Sequence, residues 1–523
     1  MRNARPSLLV FSHICSPDYV TGAEKLLMFK MRELLPLYAC TLVVPNEGVI
    51  ATQARALGMP VIVLNIPIIA SLYLGLPHAL EDIDRRMGEP FLPELVALLL
   101  RLKPDAVLVN TCVHPLPAVA AKATGIPVIW SVMEVLQETP HTPACAAFIA
   151  GHADRIVGIS AATLRPFGGH HAHRTLLLPP SWREEELEPG NWDIYRSSLR
   201  RQLGIDEEHR LIGFIAGTIY GGKGFHHFMD MAVRLAPRHG NARFLIVGNP
   251  MDGAYFEAGL DIARASGLMD RVRWIRFAER MECVYPAMDI VVVPSLGVEG
   301  FGMTALEGMA FGKPVVSFAS GGLSEIHEMT GSGAWSVGTG DVDSLTAAVS
   351  RLLSDDRLLH ETGERNRAAA GAVFGIGAYQ SRIGAFLESV KDLAVPQVRL
   401  VKGSAPVVYK REGDCLRPYL SEKAFVKDGN RWEDVRLVPQ AWIAAMPKGP
   451  ALGRTGSGAG APRRRKKALR SGRGLAAARS GRGLRGRSRR RGTTHDRRLA
   501  ARRRRRKPTY SYKTGKRKSG RRR

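Results

Sequence analysis

The stretch Pro294–Pro314, PSLGVEGFGMTALEGMAFGKP, carries the pattern that decides the fold. It lies between two apolar, β-branched runs, Ile290–Val293 and Val315–Phe318, and such runs are typical of buried parallel strands. The glycine-bearing segment between them predicts a turn that opens onto a helix over Thr304–Phe311, with Gly312 beyond its C-terminus. The stretch therefore predicts one strand–turn–helix–strand unit of a parallel α/β sheet.

The predicted turn, Glu299 to Gly302, has the chemistry of a phosphate and sugar site. A glycine-bearing turn at a helix N-terminus offers free backbone N–H groups and the positive end of a helix dipole, which suit a diphosphate. Glu299 in the turn and Glu307 on the helix add carboxylates, which accept the paired O–H donors of a sugar. An ordinary strand–loop–helix with a solvated glutamate fits the same spacing, so this stretch alone leaves both interpretations open.

A second glycine-rich segment, Gly217–Gly224 (GTIYGGKG), has the same placement between a strand and a helix. It follows the apolar run Leu211–Ala216 and precedes a helical pattern over Phe225–Leu235. Lys223 would point at a phosphate from this turn. The segment matches a P-loop only loosely, because Gly224 stands where that motif has Ser or Thr. A surface lysine in a glycine turn is the alternative.

A third short motif, Thr21-Gly22-Ala23-Glu24, follows a predicted first strand at Leu8–Phe11. Glycine at the start of a helix lets the backbone come close to a ligand, so Gly22 would sit beside a bound phosphate. Taken alone, the motif fits an ordinary helix start equally well.

Along the whole chain, short apolar runs alternate with helical patterns, and this rhythm breaks once, near residues 180–205. It predicts an α/β fold of two doubly wound Rossmann-like domains facing across a cleft, where a ligand would bind at the carboxyl ends of the strands. The predicted domains are 1–190 and 191–395. An extension of unassigned structure over 396–446 and a disordered polybasic tail over 447–523 follow.

The net charge of +27 over 523 residues is distributed very unevenly. Of the 75 Lys and Arg side chains, 31 lie in residues 447–523, together with one of the 48 acidic side chains, so this segment carries +30. The first 446 residues hold 44 basic and 47 acidic side chains and carry −3. The overall charge therefore says nothing about what the folded body binds.

The tail is rich in Arg, Gly, Ala and Ser, and it cannot bury enough apolar surface to offset its ordering entropy. Its arginine runs would bind any polyanion, so nucleic acid and an anionic membrane leaflet are both candidate partners. A third interpretation is an out-of-frame or read-through extension of a G+C-rich gene, which would then include residues from about 396 onward.

Together the three motifs resemble those of the family 4 glycosyltransferases, which are retaining nucleotide-sugar enzymes of the GT-B fold. The segment Glu299–Gly302 with Glu307 is similar to that family's E-x7-E signature, and Thr21–Glu24 is similar to its first-loop GGAE motif. Ser160 and Glu325 lie in further stretches that look like the family's. The resemblance covers about residues 7–390 and is strongest over 211–330.

The resemblance implies a role for each matching residue. Glu307 would bind the donor ribose, Glu299 would contact the transferred sugar, and Lys223 would stabilise the departing diphosphate, so Glu299 and Lys223 are the predicted catalytic residues. Backbone groups beside the sugar and phosphates would come from a further set: Gly22, Gly300, Phe301, Gly302 and Met303. Family members use no catalytic metal, so neither a metal nor a cofactor is expected, and the nucleotide-sugar is the substrate.

Two departures from the family pattern concern the same site. Thr218 stands where the family usually has an arginine, and threonine can donate one hydrogen bond but no charge to the donor diphosphate. Met133-Glu134 stands where many members have a histidine and an acid, and methionine cannot form a histidine's hydrogen bonds. Glu134 and His13, which follows the first strand, are predicted to lie on the acceptor side.

These observations predict a retaining glycosyltransferase that moves a sugar from a nucleotide-sugar to a saccharide or lipid-linked glycan, in bacterial envelope polysaccharide synthesis. The alternative is a degenerate transferase body that acts as a binding protein, tethered by its tail to nucleic acid or anionic membrane. Six dispersed cysteines and the lack of a 20-residue apolar run predict a cytoplasmic protein, with the inner face of the membrane as a possible place of attachment.

Overall fold

The computed structural model of the protein describes residues 5–391, 393, 399–413, 415–438 and 440–453. The described chain contains two large parallel sheets and one small mixed sheet. Within these residues, no helix combines the length and the apolar character needed to cross a membrane. Residues 454–523, which hold most of the predicted basic tail, lie outside the described residues.

The first large sheet has seven parallel strands in the order β3-β2-β1-β4-β5-β6-β7. Its strands are β1 Ser7–Phe11, β2 Ala39–Val44, β3 Val61–Val63, β4 Ala106–Asn110, β5 Val128–Val132, β6 Arg155–Gly158 and β7 Thr175–Leu177. Its helices are α1 Gly22–Leu34, α2 Val49–Ala56, α3 Ala70–Tyr73, α4 Ala79–Arg86, α5 Phe91–Leu102, α6 Pro115–Thr124, α7 Thr142–His152, α8 Ala161–Leu164 and α9 Glu184–Leu187. Chain order reverses between β1 and β4, where a doubly wound sheet opens its ligand crevice.

The second large sheet has six parallel strands in the order β10-β9-β8-β11-β12-β13. Its strands are β8 Arg210–Ile219, β9 Ala242–Pro250, β10 Val272–Ile275, β11 Ile290–Val293, β12 Val315–Phe318 and β13 Ser336–Val337. The helices of this part are α10 Trp192–Leu203, α11 Phe225–Leu235, α12 Gly253–Ala265, α13 Met303–Ala310, α14 Gly322–Met329, α15 Val342–Leu353, α16 Asp356–Phe374 and α17 Ile376–Lys391. Its crevice lies between β8 and β11, so two Rossmann-like sheets are present.

The strands form where the apolar runs predict them, because both faces of each sheet are covered. Residues 128–132 are buried throughout, as are 106–110 and 290–293. Such strands have no solvent-facing side and therefore read as continuous apolar runs.

Two predicted boundaries differ from the structure. The helix predicted over Thr304–Phe311 begins one residue earlier, at Met303, because Gly302 already supplies the carbonyl that accepts the first helical hydrogen bonds. The predicted 191–395 domain includes α17, whereas Tyr379, Ile383 and Phe386 of that helix pack in the core of the first sheet. The chain therefore returns to the first half after the second sheet is complete.

The extension that the sequence left unassigned forms a third, four-stranded sheet in the order β16-β15-β14-β17. Its elements are β14 Leu400–Lys402, β15 Val408–Glu412, β16 Cys415–Pro418, α18 Glu422–Lys427, β17 Val435–Leu437 and α19 Gln440–Ala445. Trp442 on α19 is fully buried in the same core as the first sheet, against α5. This packing argues against an out-of-frame origin for the extension.

The predicted start of the disordered tail, at Pro447, is wrong for its first residues. The amide of Leu416 donates to the carbonyl oxygen of Pro447 at 2.8 Å, and the amide of Leu452 donates to that of Pro418 at 2.8 Å. Residues 447–453 are therefore hydrogen-bonded to the small sheet at β16. Side chains add to these contacts: Lys448 donates to the carbonyl oxygen of Met446 at 2.6 Å, and Leu452 packs against the core of the small sheet.

Candidate functional site

A cavity of about 280 Å³ lies where the carboxyl ends of the two large sheets meet. The first half of the chain lines it with Gly22, Ala23, Leu26, Met133, Glu134 and Ile159. The second half lines it mainly with the segments 214–217, 293–295 and 299–304, together with Lys223. The structure thus brings most of the predicted site residues together: Gly22, Glu134, Lys223, Glu299, Gly300, Phe301, Gly302 and Met303.

The loop over Glu299–Gly302 touches the first half of the chain directly. A Cβ atom on Gly300 would lie 2.3 Å from the carbonyl oxygen of Met133, so a larger residue could not make this approach. The hydroxyl of Ser160 donates a hydrogen bond of 2.5 Å to the carbonyl oxygen of Gly300. The two sheets are therefore in contact at one edge of the cavity.

A second contact between the halves joins the start of α8 to α14. The backbone amides of Ala161 and Ala162 donate to the two carboxylate oxygens of Glu325, at 2.7 and 2.6 Å. Ser160 and Glu325, which the family resemblance singles out, thus serve to join the two halves.

Helix α13 begins at the cavity, and the backbone before it explains the glycine. Gly302 has a φ angle of 109°, in the region that side chains disfavour, and a Cβ atom there would lie 2.4 Å from Cδ2 of Leu323. No side chain caps this helix start. The first-turn amides, including that of Met303, are therefore available to an anion at the positive end of the helix dipole.

Lys223 and Glu299 form an ion pair inside the cavity. The Nζ atom of Lys223 lies 2.6 Å from Oε1 of Glu299, and the hydroxyl of Ser295 donates to the same oxygen at 2.6 Å. Their side chains are 28% and 19% exposed, so both charges remain accessible to a ligand in the cavity. A cation for phosphate and a carboxylate for sugar hydroxyls are therefore side by side.

Glu307 lies on α13 one turn beyond Met303, and it is not among the residues that line the cavity. Its Oε1 accepts from Nζ of Lys25 on α1 at 2.6 Å, and its Oε2 accepts from the hydroxyl of Tyr285 at 2.8 Å. Burial, and then the charge of Glu307, raise the pKa of Tyr285 well above its ordinary value. Tyr285 is therefore a neutral donor that orients the carboxylate.

Glu134 lines the cavity from the end of β5. Its Oε2 accepts a hydrogen bond of 3.0 Å from the backbone amide of Cys112, which follows β4. Burial raises the pKa of the Glu134 carboxyl, and the Cys112 hydrogen bonds oppose that rise. A carboxyl with a raised pKa can take up a proton more readily than an exposed one.

Three predicted site residues, Glu307, Thr218 and His13, are not among the residues that line the cavity. Thr218 is exposed and pairs with Asn249 across β8 and β9, just after an irregularity in the register. His13 is not a lining residue. Burial lowers its pKa to about 4, and it lies close enough to His114 that its charge helps to lower the pKa of His114 to about 3.

Glu24 of the first motif has a structural role instead. Its carboxylate accepts from the backbone amides of Ser16 and Thr21, at 2.9 and 2.8 Å, and it is fully buried. It thereby closes the N-terminus of α1 and fixes the loop that carries Gly22 to the cavity.

Sequence reasoning missed three residues of this region: Lys25, Tyr285 and Ser295. Lys25 could have been found, because it lies three residues after Gly22 and therefore on the same face of α1. Ser295 belongs to the quoted motif, four residues before Glu299. No signal in the sequence marks Tyr285, which reaches Glu307 only through the fold. Within the described ranges, no group of three or more His, Cys, Asp or Glu could hold a metal ion.

Residues 196–369 match the family model described as glycosyl transferases group 1. The chain is 30% identical over 268 residues to a D-inositol 3-phosphate glycosyltransferase of Geodermatophilus obscurus, covering 49% of this chain and 57% of that one. It is 32% identical over 176 residues to an uncharacterized glycosyltransferase of Methanocaldococcus jannaschii, covering 32% and 43%. The chain thus spans about half the length of the curated relatives it matches.

Among solved structures, the fold is similar to that of Anabaena HepE in complex with UDP and glucose. The TM-score is 0.60 with 20% sequence identity, and the match covers 74% of this chain and all of that one. This likeness shows a common fold of two Rossmann-like domains.

Proposed function

We propose that this protein is a retaining glycosyltransferase of the family 4 type, which transfers a sugar from a nucleotide-sugar donor to a saccharide or lipid-linked glycan. The observation that carries the proposal is the Lys223–Glu299 ion pair, placed in a cavity between two Rossmann-like sheets at the start of α13. The match of residues 196–369 to glycosyl transferases group 1 supports it, because that segment contains both residues.

The donor would lie along the start of α13. Its diphosphate would face the amides of Phe301, Gly302 and Met303 and the backbone of Gly22, where the helix dipole favours negative charge. Its ribose would reach Glu307, one turn further along the helix. This placement follows the E-x7-E spacing, since the two glutamates then face opposite ends of the diphosphate.

The reaction breaks the bond between the sugar and the diphosphate and forms a bond from the sugar to an acceptor hydroxyl, which gives up a proton. Lys223 stabilises the negative charge that develops on the diphosphate as it departs. When sugar hydroxyls donate to Glu299, they replace the ammonium of Lys223 as its hydrogen-bond donors. The ammonium can then move to the phosphate. The pair thus couples sugar binding to leaving-group stabilisation.

The acceptor would approach from the first sheet. Glu134 is the carboxylate on that side of the cavity, and its raised pKa suits uptake of the acceptor's proton. The assignment of His13 to the acceptor side stays a prediction, although this residue is not among those that line the cavity.

The setting of the reaction is part of the proposal. The similarity to a D-inositol 3-phosphate glycosyltransferase supports a polyhydroxylated acceptor. We place the reaction in envelope polysaccharide synthesis in the bacterial cytoplasm, with neither metal nor cofactor, as the family resemblance implies. Attachment of the basic tail to the inner face of the membrane stays a prediction, and its test is vesicle binding by chains that end at residue 453 or 523.

The experiment is a screen of nucleotide-sugars for thermal stabilisation of the full-length protein, followed by a transfer assay. A ligand at 100 times its Kd raises the free energy of unfolding by about 2.7 kcal/mol. The screen uses the full chain because the extension packs into the first core through Trp442. Glu307→Ala should abolish the stabilisation, whereas equal stabilisation of this variant would remove Glu307 from the donor site.

The alternative, a degenerate transferase body that only binds, makes a different prediction. It expects donor binding without transfer or hydrolysis, since Thr218 supplies no charge to the cavity. Release of nucleoside diphosphate by the wild-type protein, with loss of release in Lys223→Met, would exclude it.

A further inference from the structure

The cavity is short of positive charge for the ligand proposed above. Lys223 is the only Lys or Arg among the described residues that line it. A nucleoside diphosphate carries more than one negative charge, and a helix N-terminus contributes only about half an elementary charge. Thr218, which carries no charge, lies on an exposed part of β8. A second cation for the diphosphate should therefore come from elsewhere.

Lys25 reaches the donor region from the opposite half of the molecule. It lies on α1 three residues after Gly22, and Gly22, Ala23 and Leu26 of the same helix line the cavity. Its Nζ atom crosses to α13 and lies 2.6 Å from Oε1 of Glu307. Its side chain is 57% exposed, so the ammonium can move without unfolding any structure.

The partner of Lys25 is the carboxylate that the proposed function assigns to the donor ribose. Tyr285 holds the second oxygen of Glu307 from the buried side, so ribose hydroxyls would approach at the oxygen that Lys25 now contacts. A ribose hydroxyl that donates to Oε1 of Glu307 replaces the ammonium of Lys25 as the hydrogen-bond donor to that oxygen. The charge of Glu307 also raises the pKa of Lys25, so the side chain is a cation while it holds this contact.

We propose that Lys25 is a second cation for the donor diphosphate, held by Glu307 until ribose hydroxyls take that carboxylate and the ammonium passes to a phosphate oxygen. This inference rests on the proposed function, because it needs a ribose on Glu307. It gives the first sheet a direct part in donor binding. It also explains how the cavity accommodates a diphosphate although Thr218 is uncharged.

The test compares a nucleoside diphosphate with its nucleoside. Titration calorimetry measures the affinity of full-length protein for UDP, ADP and GDP, and then for the nucleoside that matches the tightest of them. Lys25→Met should weaken binding of the diphosphate about tenfold and leave the affinity for the nucleoside within about twofold, since it removes one charge-assisted hydrogen bond to phosphate that the exposure of the lysine weakens. Lys25→Arg should keep the preference for the diphosphate.

Two further variants make the result specific. Lys423→Met removes an exposed lysine from α18 and should change neither affinity. Tyr285→Phe disturbs only the orientation of Glu307 and should weaken nucleoside and diphosphate equally.

The proposal is overturned if Lys25→Met weakens both ligands equally, as Tyr285→Phe does, because Lys25 would then act only through Glu307. It is also overturned if Lys25→Met tightens binding or has no effect. If the wild-type protein binds none of the three diphosphates, the proposed function fails instead, so the two failures are distinguishable.

Discussion

Lys30 is a buried lysine whose shifted pKa can be tested by the pH dependence of stability. It lies on α1, is 4% exposed, and donates to the hydroxyl of Ser131 at 2.5 Å. No carboxylate among the described residues pairs with it, and burial lowers its pKa to about 7 from an ordinary value of 10.5. The charged form is therefore disfavoured in the folded protein and not in the unfolded chain.

The magnitude follows from the two pKa values. Each unit of difference corresponds to about 1.4 kcal/mol, so burial of Lys30 lowers the free energy of unfolding by about 5 kcal/mol below pH 6, where the folded protein holds the ammonium, and by about 2 kcal/mol at pH 9, where it holds the neutral amine. Because the unfolded chain binds more protons between pH 7 and 10.5, stability rises with pH in that window. Lys30→Met removes this effect at the cost of one hydrogen bond to Ser131, worth about 1 kcal/mol.

The assay is urea unfolding of wild type and Lys30→Met between pH 6 and 9. The variant should be more stable by roughly 3–4 kcal/mol at pH 6, and its advantage should shrink to about 1 kcal/mol at pH 9. Lys423→Met, at an exposed site, should show no such trend. A Lys30→Met protein that is less stable than wild type at pH 6 would refute the reasoning, because the ammonium would then be stabilised by its surroundings.

Three other changes probe separate parts of the fold. Trp442→Ala should lower the free energy of unfolding by about 3–5 kcal/mol, measured by denaturant titration, because it empties a fully buried site between the extension and the first sheet. A change under about 1 kcal/mol would mean that the extension is not docked there. His114→Gln should reduce the loss of unfolding free energy at acid pH. Burial lowers the pKa of His114 to about 3, so the wild-type protein loses stability as the pH falls below about 6.5. An unchanged dependence of stability on acid pH would contradict this. Glu325→Ala should lower the free energy of unfolding by about 1–2 kcal/mol and increase the radius of gyration in solution scattering, because it removes the carboxylate that joins Ala161 and Ala162 to α14. An unaltered radius would assign the contact between the halves to Ser160 and Gly300.

Local sequence patterns predicted the strands and the loop over Glu299–Gly302. The fully buried runs at 106–109, 128–132 and 290–293 are strands. The sequence suggests that glycine is required at Gly300 and Gly302, but it does not specify why. Gly302 needs a positive φ, which a turn pattern can indicate. The close approach of Gly300 to Met133 depends on how the two halves pack, and spacing along one chain does not encode that distance.

Most of the features that sequence reasoning missed arise from contacts between distant segments, whereas Ser295 lies only four residues before Glu299. The Lys25–Glu307 pair spans 282 residues, and α17 returns to the first sheet across the whole second half. Trp442 is fully buried, but the strands around it are too short and mixed to give a periodic signal. His13 and Thr218 were assigned to the site by their order along the chain, and neither is among the residues that line the cavity.

The proposed function makes the Lys223–Glu299 pair the reacting centre of a sugar transfer. The most direct test incubates full-length protein with the nucleotide-sugar that stabilises it best and a polyol or glycan acceptor, and follows the anomeric proton by NMR. We expect release of nucleoside diphosphate with retained anomeric configuration, with turnover falling at least about 100-fold in Glu299→Gln and in Lys223→Met while donor affinity changes far less. Turnover by both variants at the wild-type rate, or a product of inverted configuration, would contradict it.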